Sequence, residues 1–417
     1  MRKQPRETDE QTEACLQIVV VSPFLDRRHG TERCIIEQIE RLSSKFGWGI
    51  HLFSQHVENI DGLLTEAPKS SATGFICWHK VSDIRSPHLL KFLWWFFANR
   101  SARKRALKRH EERSLLVYSP GINCLDADAI TVHIVFHEFY ARVRGELKLL
   151  KVPVSKWPVT LHRKLYYKLI MALERCIYTD PKVHLAAVSK LVSAQLEKHF
   201  GRTDSVVIPN AVDTVIFNSE ARLSRRSVSR QSLKLDDSDF VVLLIGNDWK
   251  KKGLDQLLRA LAIIEIPIQL LVVGKDDPGL YRPALRQLRL DDRVRFLSPS
   301  ANVLSFYAAA DAYVAPSLED AFGLPILEAM ACGLPVIASV QAGASENIVE
   351  GTTGYLLRDP MDHVELAEII LRLAGDRPAA EKIGAAAAQY VKTSVSWDRN
   401  AAETREFLEN SFASRQS

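Results

Sequence analysis

Short runs of apolar residues, each followed by a turn and then by a helical pattern, recur along the chain. The first run covers residues 16–21, and after a polar loop apolar residues recur at helical spacing from Ile35 to Leu42. A strand–loop–helix unit of this kind opens a doubly wound sheet, in which ligands bind at the carboxyl ends of the strands. We therefore expect functional residues in the loops that follow the strands.

The second half of the chain alternates in the same way, and more regularly. Residues 214–238 are polar and charged, and they predict a linker. Beyond it, runs of strand length occur at residues 240–245, 268–273, 293–297, 312–315 and 335–339. Strands separated by helices require parallel crossovers. The pattern therefore predicts the α/β class, with two doubly wound, Rossmann-like domains facing across a cleft, residues 15–210 and residues 211–396.

Composition narrows the class of protein further. The chain has 417 residues, 47% hydrophobic and 25% charged, which is typical of a globular protein. Its net charge of +5 is too small to indicate nucleic-acid binding. The six cysteines show no metal-binding spacing. The polar first residues predict no secretory signal. No apolar stretch approaches the ~20 residues that a membrane span needs. We predict a cytoplasmic protein, with a peripheral membrane position as the alternative.

The most informative stretch is residues 316–333, where a strand is followed by a turn and a short helix. The backbone N–H groups of Phe322, Gly323 and Leu324 would point from the helix start at whatever lies above the sheet, which makes an anion site. Glu328, one turn later, would share this face and accept hydrogen bonds from hydroxyl groups. The alternative interpretation is a capped crossover helix with a solvated glutamate.

This stretch resembles the E-x7-E signature of retaining glycosyltransferases of family 4, which have the GT-B fold. Asp320 stands where the family has its first Glu, and Glu328 matches the second. The resemblance implies that Glu328 holds the ribose of a nucleotide sugar and that Asp320 contacts the sugar hydroxyls, with Glu319 as the competing candidate. It covers nearly the whole chain, most clearly residues 187–213 and 243–357.

A second loop, residues 246–253, resembles the family's phosphate loop. Lys252 matches the family's Lys, and its charge would stabilise the departing diphosphate. Asn247, also expected to bind the donor, stands where the family usually has Arg, so Lys250 or Lys251 would have to supply the second cation. In this loop the chain is similar to bacterial lipopolysaccharide-core glucosyltransferases, in which a residue other than Arg also occurs.

Features of the first half and of the chain's end complete the resemblance. Gly30 matches a glycine of the family's Gly-Gly-x-Glu loop, where it would let the backbone approach the donor diphosphate. The family's donor-contacting His corresponds first to His133 and second to His137, which would share one face of a strand that begins at residue 130. The family's last helix packs back onto the first domain, as we expect of residues 397–413.

The triplet Asp126-Ala127-Asp128 has the D-x-D form of metal-dependent transferases of another fold. Short acidic triplets arise by chance, and this one lacks the pattern that accompanies the motif in those enzymes. Nothing else in the sequence requires a metal, and we expect neither a metal nor a cofactor.

Residues 88–113 combine a group of Trp, Phe and Leu with a basic block that follows it. Aromatic residues beside clustered cations suit an anchor on an anionic membrane surface. Two alternatives remain: the aromatic half is a buried core helix with a solvated basic end, or the basic run binds nucleic acid. The last is weaker because the excess charge is confined to this segment, and we expect no nucleic-acid partner.

Together these features predict an enzyme that transfers a hexose from a nucleotide diphosphate sugar to a saccharide or lipid-linked saccharide, in cell-envelope glycan synthesis. The resemblance implies retention of the anomeric configuration, an acceptor-binding first domain and a donor-binding second domain. His133, Asp320 and Lys252 are the expected catalytic residues. The alternatives are a phosphorylase or epimerase of the same fold and a non-catalytic member. A dehydrogenase is disfavoured, because no G-x-G-x-x-G follows a predicted strand.

Overall fold

The computed structural model describes residues 16–27, 30–65, 74–108, 115–145, 153–300 and 302–416. By the proximity of their Cα atoms, these residues form two compact units. The first contains the residues up to Ala129 and from Leu408 onward, and the second runs from Ile130 to Phe407. The predicted domains, which divide at residue 210, stay a prediction.

Parallel strands form the centre of the first unit. Its elements are β1 (Gln17–Val21), β2 (Phe24–Asp26), α1 (Gly30–Ser44), β3 (Gly49–Ser54), β4 (His56–Glu58), β5 (Phe75–Lys80), α2 (His88–Ala106) and β6 (Leu116–Pro120). The order is β5-β3-β1-β6, and β2 pairs separately with β4. Residues 18–21 of β1 are all at most 1% exposed, as expected of a central parallel strand that is covered on both faces.

The second unit continues the alternation of strands and helices. Its elements are β7 (Ala129–Val132), α3 (Phe136–Val143), α4 (Trp157–Tyr178), β8 (His184–Ala187), α5 (Lys190–Phe200), β9 (Val206–Val207), α6 (Ser219–Ser232), β10 (Phe240–Ile245), α7 (Leu254–Ala262), β11 (Ile268–Val273), α8 (Arg282–Leu288), β12 (Val294–Leu297), α9 (Leu304–Ala309), β13 (Ala312–Ala315), α10 (Leu324–Ala331), β14 (Val336–Ser339), β15 (Tyr355–Leu357), α11 (His363–Gly375), α12 (Arg377–Ser394) and α13 (Trp397–Gln416, which ends in the first unit). The prediction of a second α/β series is confirmed.

The order of the strands shows where a ligand would bind in the second unit. β10 to β15 form a parallel sheet in the order β12-β11-β10-β13-β14-β15. The order reverses between β10 and β13, and in doubly wound sheets ligands bind at the carboxyl ends of the strands beside such a switch point. Buried side chains of β10, β11, α7 and α11 pack into one core below these ends.

The predicted linker over residues 214–238 is wrong for most of its length, because Ser219–Ser232 form the helix α6. Asn218 Oδ1 caps this helix by accepting a hydrogen bond of 2.8 Å from the Ala221 amide in the first turn. The helix has few apolar residues, and it packs through arginines instead: Arg222 donates a hydrogen bond of 2.7 Å to the carbonyl of Cys332. The polar composition therefore concealed a packed helix.

The last residues of α13 are fixed within the first unit. Arg415 donates hydrogen bonds to the Leu115 carbonyl at 2.7 Å and to the Asp128 carboxylate at 2.9 Å. A charge-assisted pair of this kind holds a helix end that would otherwise fray. Among the helices of the described ranges, none is long and apolar enough to cross a membrane.

We expect Arg230→Ala to destabilise the second unit. The Arg230 side chain is 1% exposed, and it donates to the Ala309 carbonyl at 2.9 Å and to Asp311 at 3.3 Å. Removing it leaves buried acceptors unsatisfied, which costs about 3 kcal/mol. Urea unfolding would measure the loss, and Arg225→Ala, an exposed change on the same helix, should shift the free energy of unfolding by at most about 0.5 kcal/mol. Equal effects of the two changes would contradict a packed α6.

Candidate active site

Two loops follow the strands beside the switch point. The lysine loop, residues 246–253, follows β10, and the acidic turn, residues 316–323, follows β13. The loops meet so closely that a β-carbon at Gly253 would lie 2.0 Å from the carbonyl oxygen of Pro316. Only glycine fits such an approach, and the φ of 78° at this residue also favours glycine. The two stretches singled out in the sequence are therefore neighbours in space.

The side chains of Lys252 and Asp320 join the two loops. Lys252 Nζ and Asp320 Oδ2 form a hydrogen-bonded ion pair, and the two side chains are 22% and 16% exposed. A backbone bond of 2.7 Å from the Leu318 amide to the Lys251 carbonyl runs beside it. Two residues to which the resemblance gave separate roles thus contact each other. An incoming anion would meet an ammonium group that a carboxylate already orients.

The acidic turn ends at the start of α10. Gly323 has a φ of 90°, which favours glycine, and Leu324 is the first helical residue. Within the described part of the chain, the N–H groups of Phe322, Gly323 and Leu324 donate no hydrogen bond. Unbonded amides at the start of a helix carry the positive end of its dipole and attract anions. This geometry can bind a phosphate group beside Lys252.

Glu328 lies one turn further along α10 and is 4% exposed. Its Oε2 accepts a hydrogen bond of 2.7 Å from the hydroxyl of Tyr307 on α9. Burial, together with the charge of Glu328, raises the pKa of Tyr307 well above its usual value, so the phenol remains a donor. The tyrosine fixes the direction of the carboxylate. The sequence did not reveal this contact, because no motif links two residues on different helices.

Asn247 occupies the position at which the family usually has an arginine, and its side chain binds to a neighbouring loop. Asn247 Oδ1 accepts a hydrogen bond of 3.0 Å from the Lys275 amide, so its side chain ties together the loops after β10 and β11. The Lys251 ammonium lies 3.7 Å from the centroid of the Phe139 ring on α3 and 3.1 Å from the Asp248 carboxylate. A cation over an aromatic face is attracted by the ring quadrupole. Lys251 is therefore a second loop cation with a defined side-chain position.

The predicted strand that carries both histidines is wrong. β7 ends at Val132 and α3 begins at Phe136, so His133 follows the strand directly whereas His137 lies in the first turn of the helix. The two rings therefore share no strand face. Burial lowers the pKa of His133 to about 4, and within the described residues its buried Nε2 has no hydrogen-bond partner. His133 thus offers a neutral, unused hydrogen-bonding group at the carboxyl end of a strand.

A buried carboxylate from α4 explains why the strand is short. Glu174 Oε1 accepts a hydrogen bond of 2.6 Å from the Phe136 amide, and Oε2 accepts one of 3.0 Å from the His137 amide. The same Oε2 lies 2.6 Å from His137 Nδ1. Burial raises the pKa of Glu174 to about 8, against the opposing effect of the two backbone bonds. The helix α3 starts where this distant carboxylate can satisfy its first amides.

The remaining candidates lie in the first unit. Gly30 is the first residue of α1, and the two residues before it lie outside the described ones. Of the acidic triplet, Asp126 accepts a hydrogen bond of 2.6 Å from Arg103, and Asp128 pairs with Arg415 at 2.9 Å. Both carboxylates are therefore engaged in ion pairs. In the part of the chain that the structure describes, no group of three His, Cys, Asp or Glu residues is arranged to hold a metal ion.

The fold agrees with the comparisons with known proteins. Residues 225–390 match the family model of the glycosyl transferases, group 1. The chain has the GT-B fold that the resemblance predicted.

Individual relatives are similar over part of the chain. The lipopolysaccharide glucosyltransferase WaaG of Escherichia coli (strain K12) is 26% identical over 219 residues, which are 51% of this chain and 59% of WaaG. A D-inositol 3-phosphate glycosyltransferase of Pseudarthrobacter chlorophenolicus is 31% identical over 241 residues, 54% of this chain and 56% of that protein. The chain thus spans somewhat more than half the length of these curated relatives.

Solved structures are similar over almost the whole chain. The crystal structure of WaaG has a TM-score of 0.70 at 20% identity, covering 93% of this chain and 99% of that one. Anabaena HepE, solved in complex with UDP-glucose, has a TM-score of 0.67 at 20% identity, covering 94% and 99%. At such identities the likeness shows the fold alone.

We expect Glu174→Gln to remove a loss of stability that wild type shows as the pH rises from about 4.5 to 8. The folded-state pKa of Glu174 is raised from 4.5 to about 8, so the stability linked to this group is fully present below pH 4.5 and is lost as the pH rises through 8. Between pH 6 and pH 8 the loss amounts to about 2 kcal/mol, and an uncharged glutamine does not share it.

Urea unfolding at pH 6, 7 and 8 would measure the difference between wild type and Glu174→Gln. Glu381→Gln, a change on the exposed face of α12, should follow the wild-type curve. Parallel curves for wild type and Glu174→Gln would show that the carboxyl at position 174 does not titrate as its burial requires.

Proposed function

We propose that this protein is a retaining glycosyltransferase of family 4 that transfers a hexose from a nucleoside diphosphate sugar to a hydroxyl of a saccharide or lipid-linked saccharide. The observation that carries the proposal is the meeting of the lysine loop and the acidic turn at the switch point of the sheet. Ligands of doubly wound sheets bind at this point. The match of residues 225–390 to the group 1 glycosyl transferases and the GT-B fold support the same activity.

In this proposal the diphosphate is the leaving group, and its charge is met where the two loops join. Lys252 supplies a point charge, and the N–H groups of residues 322–324 supply donors that the helix start holds in place. Donors fixed where negative charge grows lower the barrier strongly, because they need no reorganisation during the reaction. No metal ion is invoked, and Asn247 contributes by holding the loop.

The donor sugar is assigned to two acidic residues and a histidine. When Lys252 turns to the diphosphate, Asp320 loses its partner and becomes an acceptor for sugar hydroxyls. Glu328, oriented by Tyr307, would accept hydrogen bonds from the ribose. The neutral ring of His133 would offer its Nε2 to the sugar. Retention of configuration is proposed from the likeness of the acidic motif to that of retaining enzymes.

The relatives indicate which donor and acceptor to test first. HepE was crystallised with UDP-glucose, and WaaG is named a lipopolysaccharide glucosyltransferase. We therefore propose a UDP-hexose as donor and a saccharide of the cell envelope as acceptor. Other relatives are named D-inositol 3-phosphate glycosyltransferases, which makes an inositol phosphate the second acceptor class to test.

We expect the protein to release a nucleoside diphosphate from one member of a panel of UDP-, ADP- and GDP-sugars. Lys252→Ala should lower the turnover rate by roughly 10²- to 10³-fold, the usual effect of removing a charge that stabilises the transition state. Lys382→Ala, an exposed lysine on α12, is the matched control and should stay within about twofold, as surface changes usually do. Phosphate-dependent formation of a sugar phosphate would favour the phosphorylase alternative, and no release from any donor would count against an enzyme.

We also propose that the protein lies peripherally on an anionic membrane at its cytoplasmic side, through the exposed face of α2. Leu90, Leu93 and Phe97 on this face are 52%, 48% and 67% exposed. Arg100 and Lys104, both exposed, continue the same face one and two turns later. Apolar side chains followed by cations along one helical face match the two layers of an anionic membrane surface.

The opposite face of α2 is packed into the first unit. Trp95 is buried and donates a hydrogen bond of 2.7 Å to the Asn123 carbonyl. Arg103 is also buried and pairs with Asp126 at 2.6 Å, so it is not available to lipid. The alternative of a buried core helix therefore holds for the face of α2 that carries Trp95 and Arg103. The membrane proposal concerns the opposite, exposed face. Residues 109–113 of the predicted anchor lie outside the described ones.

Co-sedimentation with phosphatidylserine vesicles tests the membrane proposal. Reversing two charges, Arg100→Glu and Lys104→Glu, should reduce binding at least about tenfold, since each cation near such a surface contributes about 1 kcal/mol. Arg225→Glu with Arg282→Glu changes the net charge equally on another surface and should leave binding nearly unchanged. An equal loss in the two variants would point to non-specific attraction by net charge.

A further inference from the structure

The helix α3 begins in an unusual way, because its first two amides donate to the side chain of Glu174 on another helix. Its side chain is 0% exposed, and α3 has Val135 at its N-cap position, which offers no side-chain bond. Helices are normally capped by a nearby Ser, Thr, Asp or Asn. A carboxyl group taken out of water is costly unless its oxygens are bonded, and here both oxygens bond to the start of α3.

The helix that Glu174 holds leads directly to the candidate site. The centroid of the Phe139 ring on α3 lies 3.7 Å from the Lys251 ammonium. Lys251 directly precedes Lys252 in the lysine loop. The segment immediately before the helix carries His133, whose Nε2 has no partner within the described residues. A displacement of the start of α3 would therefore move the ring under Lys251 and the histidine together.

We propose that Glu174 is a positioning residue of the transfer site: by bonding the first amides of α3 and the ring of His137, it fixes Phe139 against Lys251 and thereby sets the lysine loop. This inference rests on the proposed function, since the loop matters only if it binds a diphosphate. The carboxylate touches neither donor nor acceptor. It acts through the helix, and misplacing a loop by a fraction of an ångström lowers a rate more than it lowers binding.

The other side chains around the start of α3 do not replace the bonds that Glu174 makes to its first amides. On α3 itself, Glu138 bonds Lys198 and His199 of α5 at 2.7 and 2.9 Å, and so anchors the helix further along its length. The ring of His137 packs edge-on against Phe200, with centroids 5.0 Å apart. These contacts hold the body of α3, whereas only Glu174 bonds its first two amides among the described residues.

A double-mutant cycle between positions 174 and 139 tests the inference. In donor hydrolysis, Glu174→Gln and Phe139→Leu should each lower kcat at least tenfold and change the donor KM less than threefold. If Glu174 acts through Phe139, the double variant should lose about as much as the more affected single variant, not the product of the two losses. Glu381→Gln, the same acid-to-amide change on the exposed face of α12, should stay within about twofold.

The measurement separates the possible failures. Multiplying losses in the double variant, or a Glu174→Gln enzyme within twofold of wild type, would overturn the positioning role while leaving the proposed function intact. A wild type that releases nucleoside diphosphate from no donor would overturn both. Melting curves show whether each variant folds. If Glu174→Gln does not fold, the Phe139→Leu variant tests the inference alone. An unchanged kcat in folded Phe139→Leu would overturn the inference, and a loss of at least tenfold would support it.

Discussion

The arrangement of this site depends on one close approach, that of the lysine loop to the acidic turn. The backbone at Gly253 passes under the Pro316 carbonyl so tightly that a single added carbon would lie 2.0 Å from its oxygen. This contact brings Lys252 within bonding distance of Asp320 and places both beside the unbonded amides at the start of α10. A bulkier residue at position 253 would separate the cation from the helix terminus, and the proposed anion site needs both.

The strand order explains why these loops, and not others, meet. β10 and β13 are neighbours in the sheet although about 70 residues separate them in the chain, and their carboxyl ends open on the same edge. Apolar runs of strand length are visible in a sequence, because a strand buried on both faces needs them. Five of the six strands of the second sheet were therefore predictable almost to the residue, whereas the short strand β15 was not predicted. So were the two loops, because their glycines and charges stand at fixed distances from the strand ends.

What the sequence could not reveal are contacts made across the fold. Tyr307 and Glu174 belong to no motif, and each acts on a residue more than 20 positions away. The same cause explains the two errors of local structure. The helix α6 was mistaken for a linker because its arginines find carbonyl partners on other elements, and the strand before α3 was drawn too long because Glu174 starts the helix early.

The departures of this chain from the family pattern belong together physically. Lys252 pairs with Asp320 and Lys251 pairs with Asp248, so both lysines have a carboxylate partner, while Asn247 brings no charge to the loop. If the loop binds a diphosphate, as we propose, that group has to compete with Asp320 for the Lys252 ammonium. In this proposal the released Asp320 carboxylate becomes free to accept hydrogen bonds from the sugar of the same donor. Binding of the leaving group and recognition of the sugar would then be coupled through one ion pair.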